Sequence, residues 1–113
     1  MNEGSLEVNS KARVAGLVLL AFSAVAPVLA QDSGADVYKG KCQMCHGASG
    51  LADSGAGKAM KVKPATDPDV KKMSEADMVK AVEDGMGKMQ AFKGKLTDAQ
   101  IKSAVEFFRT FAK

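Results

Sequence analysis

Both cysteines and the single histidine of this 113-residue chain lie within five consecutive positions. They form the segment Cys42-Gln43-Met44-Cys45-His46, in which two residues separate the thiols and the imidazole follows directly. Thiols and imidazoles are the strongest side-chain ligands for soft and borderline metal ions. Their concentration in one short segment indicates that these three side chains share one chemical role.

The first thirty residues differ from the rest and have the pattern of an export signal. Lys11 and Arg13 precede an apolar stretch at residues 14–26, and small residues end the segment. A basic start, an apolar middle and a small-residue exit are typical of a cleaved secretory signal peptide. The apolar stretch is shorter than the roughly 20 residues that span a bilayer, so a retained anchor is the less favoured alternative. We expect a signal peptide at residues 1–30, a domain without a membrane span at residues 31–113, and a periplasmic location.

The expected domain is poor in large apolar side chains. It has no Trp, one Tyr and four Phe, because one of the five Phe lies in the leader. Chains of this size usually need a disulfide, a metal or another prosthetic group for adequate stability. The net charge is only +3, far from the dense basic stripe of a nucleic-acid-binding domain, so we expect no nucleic-acid partner.

Helical signals extend along the domain, and no segment has the alternation of a strand. Three capping-box patterns mark helix starts, namely Ser33 with Asp36, Ser74 with Asp77, and Thr97 with Gln100. Asp67-Pro68 predicts a short fourth helix, and the glycine- and serine-rich loop after His46 has room for another near residues 58–62. The expected fold class is therefore all-α, with three main helices and short helical turns.

Four interpretations compete for the cysteine cluster. A structural zinc site needs four such ligands, whereas Cys42, Cys45 and His46 are only three. A thioredoxin-like dithiol needs a preceding strand, and a disulfide across two residues would close too small a loop to add much stability. The fourth interpretation is the attachment sequence for c-type haem, in which both thiols bind the haem and the histidine binds its iron. We favour it, since one covalent haem also supplies the missing apolar core.

The second axial position of the iron is either open or filled by another side chain, and a methionine there suits electron transfer. Met86 and Met89 lie in the segment GMGKMQAF, where glycines allow the backbone to approach the haem closely. Met78 falls on an apolar helix face and is expected in the core, whereas Met60 and Met73 are interpreted as gap-fillers. We favour Met89 as the ligand, with Met86 or an open site as alternatives.

The chain resembles small bacterial class I c-type cytochromes with a single haem. The similarity rests on CQMCH, on GKMQAFKGKLTDAQI and on the aromatic segment AVEFFRTF. It implies the class I cytochrome c fold wrapped around one covalent haem c, with axial ligation by His46 and Met89. It also implies that the first and last helices cross, with Gly34 and Tyr38 against Phe107.

Two positions depart from the pattern of that family. Gln90 replaces the proline that often follows the ligand methionine, which suggests a looser ligand loop. In addition, the loop after His46 contains no proline before Pro64, so the usual carbonyl acceptor for the histidine ring N–H has no counterpart in the sequence.

The function expected from these residues is electron transport by an exported, monomeric carrier that is not an enzyme. One alternative is a peroxidase-like or gas-binding haem protein with a weak or absent sixth ligand. Another is a module that serves one fixed oxidoreductase.

A group of lysines suggests how such a carrier would meet its donor and acceptor. These residues lie in the segments expected around the haem edge: Lys58, Lys61, Lys63, Lys88, Lys93 and Lys95. They predict a basic face that binds acidic docking surfaces on the redox partners. The alternative is that these charges serve solubility alone.

Overall fold

The computed structural model describes residues 32–113, together with Gly16, Ala21, Ser23 and Ala24. Apart from those four positions, the predicted signal peptide lies outside the described residues. The described domain consists of α1 (Gly34–Lys41), α2 (Gln43–His46), α3 (Gly55–Ala59), α4 (Pro68–Lys72), α5 (Glu75–Asp84), α6 (Asp98–Arg109) and a terminal 3-10 turn (Thr110–Ala112). Outside these helices, the described backbone forms two isolated bridges and no strand ladder. No helix among the described residues is long and apolar enough to cross a membrane.

The three main helices begin at the residues that the capping patterns predict. The Ser33 side chain accepts the backbone N–H of Asp36, and that of Ser74 accepts the N–H of Asp77. At α6 the capping box is complete, since the Gln100 side chain also accepts the N–H of Thr97. These side chains satisfy N–H groups that the first turn of a helix leaves without partners.

Two helix boundaries differ from the sequence-based expectation. The helix expected near residues 58–62 is instead α3, which begins at Gly55 because the Ser54 side chain caps it. The capping pattern at Ser33 also predicts one helix through ADVYKGKCQMC, but that helix is interrupted at Cys42 and resumes as α2.

The crossing of α1 and α6 brings the two ends of the described domain together. A Cβ at Gly34 would overlap the backbone carbonyl of Ser103 and lie 3.3 Å from Cβ of Phe107. One turn later, the centroid of the Tyr38 ring lies 5.3 Å from that of the Phe107 ring and 5.5 Å from that of the Phe111 ring. The crossing through Gly34, Tyr38 and Phe107 is therefore confirmed, and it depends on the absence of a side chain at Gly34.

The main buried cluster lies between α5, α6 and the segment that joins them. Met78, Phe92, Ile101 and Val105 form it, and Ile101 is completely buried. The prediction that Met78 belongs to the core is confirmed. Met73 packs at the edge of this cluster, but Met60 is 41% exposed, so its interpretation as a gap-filler is wrong.

Candidate haem site

The cysteines and the histidine occupy a single helical turn, which we call the attachment turn (residues 42–46). The N–H groups of Cys45 and His46 both bond to the carbonyl of Cys42, at 3.2 and 3.0 Å. Both thiols are free and partly buried. Burial raises the pKa of Cys42 to about 11, so this thiol is protonated at neutral pH before any attachment.

The imidazole of His46 is held between α2 and α6. Its ring lies 5.2 Å from the ring of Phe108, with the two planes inclined at 66°. Its Nδ1 atom is buried and has no hydrogen-bond partner among the described residues. No carbonyl of these residues therefore replaces the proline carbonyl that accepts the histidine ring N–H in the related cytochromes. Burial also lowers the pKa of this imidazole. The ring is thus kept in the neutral form that can ligate a metal.

Tyr38 links α1 to the residue that follows the attachment turn. Its hydroxyl donates a buried hydrogen bond of 2.6 Å to the carbonyl of Gly47. Burial, with smaller contributions from Cys42 and Asp53, raises the pKa of Tyr38 to about 12. The hydroxyl therefore stays protonated and keeps donating at any physiological pH.

A segment that sequence reasoning did not single out closes over the end of α2. The Ser54 hydroxyl donates to the carbonyl of Met44 at 2.6 Å, and the Ala52 N–H donates to the carbonyl of His46 at 2.8 Å. A Cβ at Gly57 would collide with the carbonyl of Cys45. The sequence alone shows Ser54 only as a serine in a polar loop. Its hydrogen-bond partner Met44 is ten positions away and is identified only in the folded chain.

Met89 lies in a tight hairpin between α5 and α6. Its N–H bonds to the carbonyl of Met86 at 2.9 Å, and the reverse bond measures 3.1 Å. Two glycines with positive φ make this turn possible, Gly85 at 82° and Gly87 at 56°. Met89 is partly buried, whereas Met86 is 58% exposed. Within the hairpin, the side chain of Met89 is therefore less exposed than that of Met86.

Further bonds fix the segment that follows Met89. The side-chain oxygen of Gln90 accepts a 2.9 Å bond from Nζ of Lys95, and the N–H of Phe92 bonds to the carbonyl of Val82 at 2.9 Å. Gln90 thus makes a contact that a proline cannot make.

The structure brings Cys42, Cys45 and His46 together and places Met89 on a separate element. Both parts are anchored on α6, the attachment turn through Phe108 and the hairpin segment through the buried ring of Phe92. Within the described part of the chain, no group of three or more His, Cys, Asp and Glu side chains could hold a metal ion directly. Two free thiols on one turn, followed by an imidazole whose buried Nδ1 has no partner among the described residues, suit the covalent attachment of haem c and the ligation of its iron.

Comparison with known proteins agrees with this donor set. Residues 29–108 match the family model described as cytochrome c oxidase, cbb3-type, subunit III. The chain belongs to this cytochrome family. It is a small monohaem class I c-type cytochrome, a class defined by covalently bound haem c.

Two solved structures are similar to this cytochrome over their whole length. The KustC0563 c-type cytochrome is 27% identical with a TM-score of 0.66, and the match covers 73% of this chain and 100% of that one. A tyrosine-to-phenylalanine mutant of Kustc0563 is 26% identical with a TM-score of 0.64, over 71% and 99% of the two chains. No curated protein sequence gives a significant match. The neighbours support the all-α class I cytochrome c fold.

The six lysines considered for docking are all exposed in this cytochrome. Lys58 lies within α3 and not in a loop. The Nζ atom of Lys63 is 2.8 Å from a carboxylate oxygen of Asp69, which offsets its charge locally, and Lys95 bonds to Gln90. Among the three ion pairs of the described residues, none involves Lys58, Lys61 or Lys88.

Proposed function

We propose that this cytochrome is an exported carrier of single electrons, with its haem attached to Cys42 and Cys45 and ligated by His46 and Met89. When bound, the haem supplies an iron that alternates between the ferrous and ferric states. The thiols of Cys42 and Cys45 would hold the cofactor, each through one thioether bond to the haem. Ligation by a methionine and a histidine would raise the reduction potential of the iron, which suits an electron carrier.

The observation that best supports this function is the hairpin at Met89. Its reciprocal backbone bonds fix the turn, and the side chain of Met89 is partly buried whereas that of Met86 is mostly exposed. A ligand on a fixed turn keeps its position in both oxidation states, so little reorganisation accompanies electron transfer. A fixed sixth ligand also denies peroxide or gases access to the iron, which favours a carrier over an enzyme.

Reversible redox behaviour without peroxidase activity tests this function. We expect a spectroelectrochemical titration of the holoprotein to fit one reversible one-electron step with isosbestic points. We also expect peroxide-dependent dye oxidation no faster than that of the protein-free assay. Rapid peroxide turnover by the freshly purified protein would instead establish the peroxidase-like alternative.

The matched family model is described as that of an oxidase subunit, so a fixed assembly is the second candidate. We favour a free monomeric carrier, because its exposed lysines suit brief electrostatic encounters with a redox partner. Copurification from the native membrane and soluble fractions distinguishes the two. Stable comigration with an oxidase would contradict the freely diffusing carrier.

We further propose that the exposed lysines form a basic docking face. At low salt, the ferrous triple variant Lys58→Glu, Lys61→Glu and Lys88→Glu should be oxidised by hexacyanoferrate(III) about tenfold more slowly than the wild type, since the anion is no longer attracted. The difference should shrink as the ionic strength rises. Stopped-flow absorbance measures both rates.

The matched control changes the same total charge elsewhere. Lys71, Lys72 and Lys102 are also exposed but lie on α4 and α6. If the triple variant Lys71→Glu, Lys72→Glu and Lys102→Glu slows the reaction as much, the effect comes from net charge and the docking face is refuted.

A further inference from the structure

We propose that Ser54 is a positioning residue for the His46 ligand, acting through the carbonyls at the end of the attachment turn. The inference rests on the proposed ligation of the haem iron by His46. It concerns the segment formed by residues 52–57, which we call the capping segment.

The end of α2 needs external hydrogen-bond donors. The last carbonyls of any helix have no partner within the helix, and α2 is only four residues long. The Ser54 hydroxyl lies 2.6 Å from the carbonyl oxygen of Met44 and 3.4 Å from that of Cys45. The N–H of Ala52 lies 2.8 Å from the carbonyl oxygen of His46. The capping segment therefore supplies donors to the carbonyls of Met44 and His46, and the single Ser54 proton is directed mainly at Met44.

The same hydroxyl ties the attachment turn to α3. While it donates to Met44, it accepts the N–H of Gly57 at 3.0 Å and so begins α3. Gly57 lets the two elements touch, because a Cβ there would overlap the carbonyl of Cys45 and lie 2.7 Å from that of Ala52. Ala52 itself has a φ of 53°, a left-handed conformation that alanine adopts only when its surroundings enforce it. These features together indicate a segment shaped to fit the end of α2.

This fit matters for the ligand because the ring of His46 has few other restraints. Ligating histidines usually donate their second ring N–H to an acceptor that fixes the ring plane. Here Nδ1 has no such partner among the described residues, so the ring depends on the Phe108 contact and on its own backbone. Removing the Ser54 hydroxyl frees that backbone and allows the imidazole plane to turn.

The test compares holoprotein variants by proton NMR in the ferric state. The hyperfine shifts of the four haem methyl groups depend on the orientation of the axial imidazole plane, and a loss of stability alone does not move them. Ser54→Gly removes the hydroxyl but keeps a good N-cap for α3. Ser54→Ala is the second variant, and Ser54→Thr retains the hydroxyl. Ser74→Gly is the matched control, because Ser74 caps α5 with a 3.0 Å bond and has no hydrogen bond to the attachment turn.

We expect Ser54→Gly and Ser54→Ala to change the spread of the methyl resonances, and Ser54→Thr and Ser74→Gly to reproduce the wild-type pattern. A wild-type pattern in both hydroxyl-free variants overturns the inference, as does an equal change in Ser54→Thr. Iron-bound histidine signals in the wild type test the premise separately. Their absence contradicts the proposed ligation itself, whereas their presence beside an unchanged Ser54→Gly spectrum contradicts only the role of Ser54.

Discussion

Ferrous Met89→Ala holoprotein is expected to bind carbon monoxide stoichiometrically under conditions in which the wild type binds none. The substitution removes the thioether that we propose as an iron ligand, so the iron would keep a position open to carbon monoxide. The ferric variant should also lose the weak far-red absorption band of a sulfur–iron bond, and its reduction potential should fall. Absorption spectra with and without carbon monoxide, followed by a redox titration, measure all three changes.

Met86→Ala is the control for this result. Met86 is the hydrogen-bonded partner of Met89 across the turn, but its side chain is mostly in solvent. Its removal should preserve the far-red band and the resistance to carbon monoxide. The reverse outcome, with the band lost in Met86→Ala and kept in Met89→Ala, would assign the ligand to Met86. Carbon monoxide binding by the wild type would show that the site is open.

Gly34→Ala is expected to destabilise the holoprotein by about 3 kcal/mol, the upper end of what overpacking usually costs. The added methyl group would overlap the carbonyl of Ser103, which is backbone and cannot rotate away. Relief requires α1 and α6 to move apart, and this separation would also weaken the contact of Tyr38 with Phe107. Chemical denaturation monitored by circular dichroism measures the change in unfolding free energy.

Gly40→Ala provides the comparison within the same helix. A Cβ at Gly40 would meet nothing within 4 Å. At an exposed position inside a helix, alanine stabilises the helix by about 1 kcal/mol relative to glycine. This variant should therefore be as stable as the wild type or more stable. Equal destabilisation of both variants would mean that the loss arises within α1 and not at its crossing with α6.

The features predictable from the sequence are those determined by neighbouring residues. Ser33, Ser74 and Thr97 mark their helices correctly because a cap and the N–H that it accepts are three positions apart. The cysteine segment indicates covalent haem for the same reason, since the spacing of its residues carries the signal. The crossing at Gly34 is also accessible from the sequence, but only through resemblance to a family.

The features that escape prediction depend on contacts between distant segments. Ser54 caps α3, but the residue three positions later is Gly57 and not the acidic or amide residue of a capping box. Glycine is needed at this position because a Cβ would overlap the carbonyl of Cys45. The aromatic segment of α6 does not reveal that Phe108, and not Phe107, packs on the imidazole. Met60 is expected inside because methionines often fill gaps, but in this fold its position at the end of α3 faces solvent.

The contact between Gly34 and Ser103 has a consequence for how the chain reaches its native state. Its partners come from opposite ends of the described domain, so the backbone between them must be closed into one long loop before the contact contributes any stability. A nascent polypeptide without α6 lacks the main packing partner of α1. The native structure can therefore form only after α6 has been synthesised. Shortening the C-terminal end should reduce the stability of the domain more than its distance from the cysteines suggests.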